Sequence, residues 1–125
     1  VSFDSNGPMS SGITHNPGSS FIFINVTGAY KIEFGTTSLQ ECTFSVYRNA
    51  VSIPGSRNGT CPPTATLSPV PTTGGVQNNG AVIINANAGD VIQLNNTGST
   101  GSVNLTVNSG GTLTNVSAWI LITKL

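Results

Sequence analysis

No stretch of this chain runs far before it must turn. Glycine, asparagine, proline and serine interrupt it about every ten residues, and the intervals hold short apolar or alternating runs. That rhythm leaves no room for long helices and predicts strands. Residues 21–26 (FIFINV) read as a strand ending in a turn at Thr27-Gly28. Residues 29–34 alternate, with Tyr30, Ile32 and Phe34 on one side and Lys31 and Glu33 on the other. Phe44 and Val46, then Val51 and Ile53, flank a turn at Arg48-Asn49-Ala50 and predict a hairpin. Residues 81–85 and 91–94 read as strands around a turn at Ala88-Gly89-Asp90. Residues 102–108 alternate, with Val103, Leu105 and Val107 inward, before a turn at 109–111. Residues 116–122 (VSAWILI) are the last predicted strand. Residues 56–79 and their flank carry Pro54, Pro62, Pro63, Pro69 and Pro71, which predicts a long surface loop with edge-strand pieces. Residues 1–20, rich in Ser, Gly, Asn and Pro, read as an extended arm or linker. Residues 21–125 read as one domain.

About eight short strands with regular turns are the signature of an all-β sandwich or jelly roll. Composition agrees. Only 6% of the residues are charged and 37% are apolar, with zero net charge, so the polar surface is built from Ser, Thr, Asn and Gly. Such a surface offers no basic patch for phosphates and no polybasic segment for anionic lipid, so no nucleic-acid or membrane partner is expected. It also sets little repulsion against self-association. Two runs, FIFI at 21–24 and AWILI at 118–122, are apolar on both faces. One face of an antiparallel sandwich strand meets the core, and the other then needs a cover from a loop or another subunit.

Chemistry is sparse. The carboxylates Asp4, Glu33, Glu41 and Asp90 are scattered, and His15, Cys42 and Cys61 lack any zinc-ligand spacing. Neither a nucleophile elbow nor a dinucleotide loop is present. No enzyme, catalytic residue, metal or cofactor is expected. Asp90, after Gly89, reads as a turn residue whose side chain accepts from nearby backbone N–H groups, with a calcium ligand as the alternative. Trp119 reads as core or interface, with a sugar-stacking platform as the alternative. Cys42 and Cys61 admit three states: unpaired, bridged within the chain, or bridged between subunits. A hairpin turning near 49–50 brings them close to opposite each other at its open end, which makes an intrachain disulfide feasible.

Four stretches in chain order carry a resemblance. Val26-Thr27-Gly28-Ala29-Tyr30-Lys31-Ile32 resembles the first strand pair of complement-type globular heads. FSVYRN at 44–49, followed by Val51, resembles their hairpin, with Ala50 where glycine is usual. IINANAGDVIQL at 83–94 resembles their Gly-Asp segment, and residues 116–125 resemble their closing strand. The chain is most similar to the C-terminal domains of Bacillus collagen-like proteins of the exosporium, the outer layer of the spore. The resemblance covers about residues 21–125. It implies a tumour-necrosis-factor-like antiparallel jelly roll of about 8–10 strands that forms a homotrimer. Phe21, Phe23, Trp119, Ile120, Leu121 and Ile122 would then line the trimer interface, and Gly28, Gly89 and Asp90 would be structural turns. It further implies an extracellular, spore-surface structural protein, carried on a collagen-like stalk or stacked into a fibre through residues 1–20. The alternative is a trimeric receptor- or glycan-binding tip. The chain departs from the family in having no Gly-X-Y repeat, and its Pro-rich loop at 61–73 and both cysteines lie outside the pattern.

Overall fold

The computed structural model describes residues 1–61, 75–99, 101–107 and 112–125. The described residues are all-β, with no helix and with every strand pairing antiparallel. The strands are β1 (Ile13–His15), β2 (Ile22–Ile24), β3 (Gly28–Ser38), β4 (Cys42–Arg48) and β5 (Val51–Ser52). They continue with β6 (Asn58–Thr60), β7 (Val76–Ala86), β8 (Val91–Asn96) and β9 (Ala118–Lys124). One sheet has the order β1-β2-β8-β4-β5, with β6 also pairing with β4; the other has the order β7-β3-β9.

The inner faces of both sheets share one apolar core, an arrangement consistent with a β-sandwich. The six-stranded sheet contributes Ile22, Ile24, Phe44, Val46, Ile92 and Leu94. The three-stranded sheet contributes Tyr30, Ile32, Phe34, Ile84 and Ala86. The alternation along 29–34 thus sets one face of β3, because successive strand side chains point to opposite sides. Tyr30 is fully buried, and its hydroxyl donates to the Val26 carbonyl at 2.6 Å, which satisfies the one polar atom it carries inward.

Four local expectations differ from the structure. Ile13–His15, within the segment expected as an arm, forms β1 by pairing with β2. Gly28, expected in a turn, is the first residue of β3 and pairs with Ala86. Residues 76–79, expected within a surface loop with edge-strand pieces, extend β7 along the polar end of β3, where Ser38 pairs with Val76. Residues 102–107 form no strand; a single bridge joins Leu105 to Ser38. Their alternation reflects packing of Val103 and Leu105 against the core rather than ladder pairing. Most of the Pro-rich loop at 61–73 and the turn at 109–111 lie outside the described residues.

Candidate functional site

The outer face of the three-stranded sheet carries the most informative surface. Inward positions on β3 are even-numbered, so Lys31, Glu33 and Gly35 point out. The register sets Lys31 between Ile83 and Thr123, Glu33 between Ala81 and Leu121, and Gly35 between Asn79 and Trp119. Ile83 is 65% exposed, Leu121 53% and Trp119 43%. Lys31 Nζ and Glu33 Oε1 lie 3.0 Å apart in the middle of this face, which joins the two charges into one neutral pair. A Cβ on Gly35 would overlap the indole of Trp119 and the carboxamide of Asn79. The missing side chain is therefore what lets the indole lie across the middle strand. Isolated exposed apolar residues are ordinary, whereas large ones grouped on one sheet face mark a contact surface.

The six residues expected at an interface do not form one patch. Trp119 and Leu121 belong to this outer face. Ile120 and Ile122, on the other side of β9, are half-buried and pack on the core. Phe21 and Phe23, 49% and 41% exposed, lie outward on the six-stranded sheet, since their neighbours Ile22 and Ile24 point in. Sequence reading passed over Ile83; its signal was the Val-Ile-Ile run at 82–84, apolar on both faces of a strand.

Among the described residues β9 pairs only with β3, so its far edge carries no strand partner there. Along that edge runs a cleft of about 370 Å³, lined by β9 on one side and by Phe3, Met9, Ile13, His15 and Ile22 on the other. His15 is buried here. Its ring Nδ1 is 2.5 Å from Asn6 Oδ1, its Nε2 is 3.0 Å from the Ser19 carbonyl, and Phe3 meets the ring edge-on.

Gly89 and Asp90 close the β7–β8 turn. Gly89 takes φ +95°, a conformation only glycine adopts without strain. Asp90 Oδ2 accepts from the Asn87 N–H at 2.9 Å, and Oδ1 accepts from the Asn49 side-chain amide at 2.8 Å. These bonds, the Asn87 one foremost, hold the carboxyl below the ordinary aspartate range, with a smaller contribution from the Arg48 charge. Asn49 returns its own Oδ1 to the Val91 N–H at 2.9 Å, and Arg48 donates to the Asn85 carbonyl at 2.6 Å. The two turns are thus tied together. Among the described residues, no three His, Cys, Asp or Glu side chains gather as a metal site.

No disulfide joins Cys42 and Cys61. The residue opposite Cys42 is Thr60, so Cys61 lies one position on. Directly paired residues share a face and the next one points away, which turns the two sulfurs apart. Cys42 is buried and its sulfur lies 3.4 Å from the Ser38 hydroxyl oxygen; exposed Cys61 points to Glu41 Oε2 at 3.9 Å. No protein-family model and no curated protein matches this chain.

Proposed function

We propose that this chain is a structural assembly module: a homotrimeric, tumour-necrosis-factor-like jelly-roll head or building block of a bacterial spore-surface filament or appendage. The observation that carries the self-assembly is the outer face bearing Ile83, Leu121 and Trp119 around a neutralised ion pair. The resemblance of residues 21–125 to exosporium collagen-like head domains supplies the trimer and the location. The charge-poor surface supports both, because contacts built on apolar area and uncharged Ser, Thr and Asn groups respond little to salt.

The second apolar surface, Phe21 and Phe23, lies on the other sheet. Contact between two different surfaces is heterologous, and heterologous contacts close into a ring or run on as a filament, depending on the rotation between copies. Both outcomes fit a spore-surface role. Light scattering on the purified chain tests the reading. A mass near three times 12.8 kDa supports the head, and filamentous particles support the building block. A stable monomer at high micromolar concentration overturns it. Glycan binding by a trimer, quenching Trp119 fluorescence, would establish the trimeric binding-tip alternative instead.

A further inference from the structure

Asparagine followed by glycine is a self-reactive step in a protein chain. The backbone nitrogen of the glycine can add to Cγ of the asparagine, and with no Cβ beside it that nitrogen is unhindered. The new N–C bond forms as the Cγ–Nδ2 bond breaks, and ammonia leaves with the hydrogen that the backbone nitrogen gives up. Water then opens the cyclic imide at either of its carbonyls, giving aspartate or isoaspartate. Closing the ring requires the asparagine to turn away from the extended conformation of a strand. This chain has three such steps: Asn6-Gly7, Asn58-Gly59 and Asn79-Gly80.

Two of the three are clamped. Asn58 and Gly59 lie in β6, opposite Phe44 and Thr43 of β4. Asn79 and Gly80 lie in β7, opposite Gly35 and Phe34 of β3. A Cβ on Gly59 would press on Thr43 Oγ1, and one on Gly80 would overlap the Phe34 ring and the Asn58 carboxamide. Neighbours thus fill the space into which either backbone would have to turn. Asn6-Gly7 differs on each count. It belongs to no strand, and residues 4–11 are all exposed. Pro8 follows, with no N–H to give a ladder. Nothing lies within 4 Å of a Cβ built on Gly7, and the Gly7 N–H makes no hydrogen bond among the described residues.

We propose that Asn6 is a self-modification site, the Asn-Gly step that the folded protein itself converts to aspartate or isoaspartate. The fold presents the electrophile as well as the free nitrogen. An amide oxygen only accepts, so His15 Nδ1, 2.5 Å from Asn6 Oδ1, brings an N–H to it. That bond draws electron density from Cγ and stabilises the charge that Oδ1 takes up as the Gly7 nitrogen adds. Asn6 Nδ2 donates to the His15 carbonyl at 2.9 Å, which fixes the orientation of the amide. Both bonds use the carboxamide and leave the attacking nitrogen free. The product differs in kind, because a carboxylate has no N–H for the His15 carbonyl and that bond is lost. Conversion also sets a carboxylate in a cleft lined, among the described residues, by no Asp, Glu, Lys or Arg, and takes the chain from zero net charge to one negative charge. It needs only water, so the mark accumulates with the age of the protein.

Prolonged incubation of the full chain in neutral buffer, folded and denatured, tests this by peptide mapping. Conversion raises the mass of a peptide by one unit, and chromatography separates its isoaspartyl and aspartyl forms. In the denatured chain all three steps should convert. In the folded chain residue 6 should give both products while residues 58 and 79 stay asparagine. Asn6→Gln should abolish the native conversion. Gly7→Ala, which the open space around Gly7 admits without loss of stability, should suppress it by crowding the attacking nitrogen. An Asn6 that stays intact in the folded chain overturns the proposal, as does conversion of residue 58 or 79 at the rate of residue 6. Aspartate alone at residue 6, or an undiminished rate in Gly7→Ala, would show direct hydrolysis by water and overturn the ring route. The mapping is residue-specific, so its outcome is independent of the oligomeric mass and of the assembly reading.

Discussion

Leu121→Lys separates assembly from folding. Leu121 is 53% exposed on the outer face of β9 and pairs across the sheet with Glu33. Full burial of a leucine side chain is worth about 1.5–3 kcal/mol, so the half still exposed is worth about 1 kcal/mol when a neighbouring copy covers it. Three copies in a closed ring make that about 3 kcal/mol, or roughly two orders of magnitude in the trimer association constant. A lysine removes this gain and adds the cost of desolvating three ammonium groups, so the figure is a lower bound. Within the monomer the same lysine faces Glu33, and opposite charges across a sheet contribute about 0.2–1 kcal/mol in favour of the fold. Aspartate at 121 would instead face a like charge, which is why lysine is the informative choice. Sedimentation over a concentration series reads the assembly, and circular dichroism reads the fold. Val51→Lys, at an exposed apolar position on β5 in the other sheet, is the control. The expected outcome is a folded Leu121→Lys monomer at concentrations where wild type and Val51→Lys remain trimers. A Leu121→Lys trimer of undiminished affinity would refute the assignment of this face, and equal dissociation by Val51→Lys would show that any added charge suffices.

Ala50 takes φ +67° in the turn between β4 and β5, which costs an L-residue about 1–2 kcal/mol. Ala50→Gly relieves that strain but returns about 0.4–1 kcal/mol to the unfolded chain, so a net gain of roughly 0.5–1 kcal/mol is expected. Thermal melts should show the midpoint rising by about 2–5 °C, and an unchanged or lower midpoint would contradict the strain. Asp90 gives a pH prediction. Its carboxyl is held below the ordinary aspartate range, so its contribution to stability is present above about pH 4 and is lost as pH falls further. Asp90→Asn should flatten the acid limb of midpoint against pH below that value; an unaltered limb would show that the turn bonds do not depend on the charge. Native protein treated with iodoacetamide should be alkylated at Cys61, with Cys42 reacting only after denaturation, since Cys42 is 2% exposed. Mass spectrometry checks this, and labelling of both thiols at similar rates would mean that the start of β4 opens readily.

The part of the fold legible in the sequence is the part held by apolar alternation. Tyr30, Ile32 and Phe34, the hairpin at Asn49-Ala50, and the Gly89 turn before β8 all follow from side-chain period and turn chemistry. What escaped is the polar end of the three-stranded sheet. There the inward positions of β3 are Thr36 and Ser38, and the inward position of β7 is Asn78, all buried. Asn78 donates to the Asn58 carbonyl at 2.7 Å, and Ser38 donates its hydroxyl to the Gln40 carbonyl at 2.8 Å. Thr36 Oγ1 has no partner among the described residues. A strand that buries small polar groups leaves no hydrophobic period to find, so residues 76–79 look like loop. β1 escaped because three residues between Gly12 and Pro17 are too few to show any period. At the candidate site, Trp119 and Leu121 were visible as a two-sided apolar run. Which face each occupies depends on strand register, which the run alone does not contain.

The central position of β3 has a kinetic consequence. β7 and β9 reach the rest of their sheet only through it. Its partner on one side, β9, is the last strand, and Ile32 meets Ile122 from almost the opposite end of the chain. Contacts between residues so distant in sequence close slowly, because the loop entropy is lost before the contact rewards it. During synthesis, β3 therefore stands with one edge unpaired until residues 118–124 have left the ribosome, while β1, β2, β4 and β8 can already pair. The step that completes the three-stranded sheet also completes its apolar outer face. Trp119 and Leu121 are thus brought to one face with Ile83 only after β9 has docked on β3.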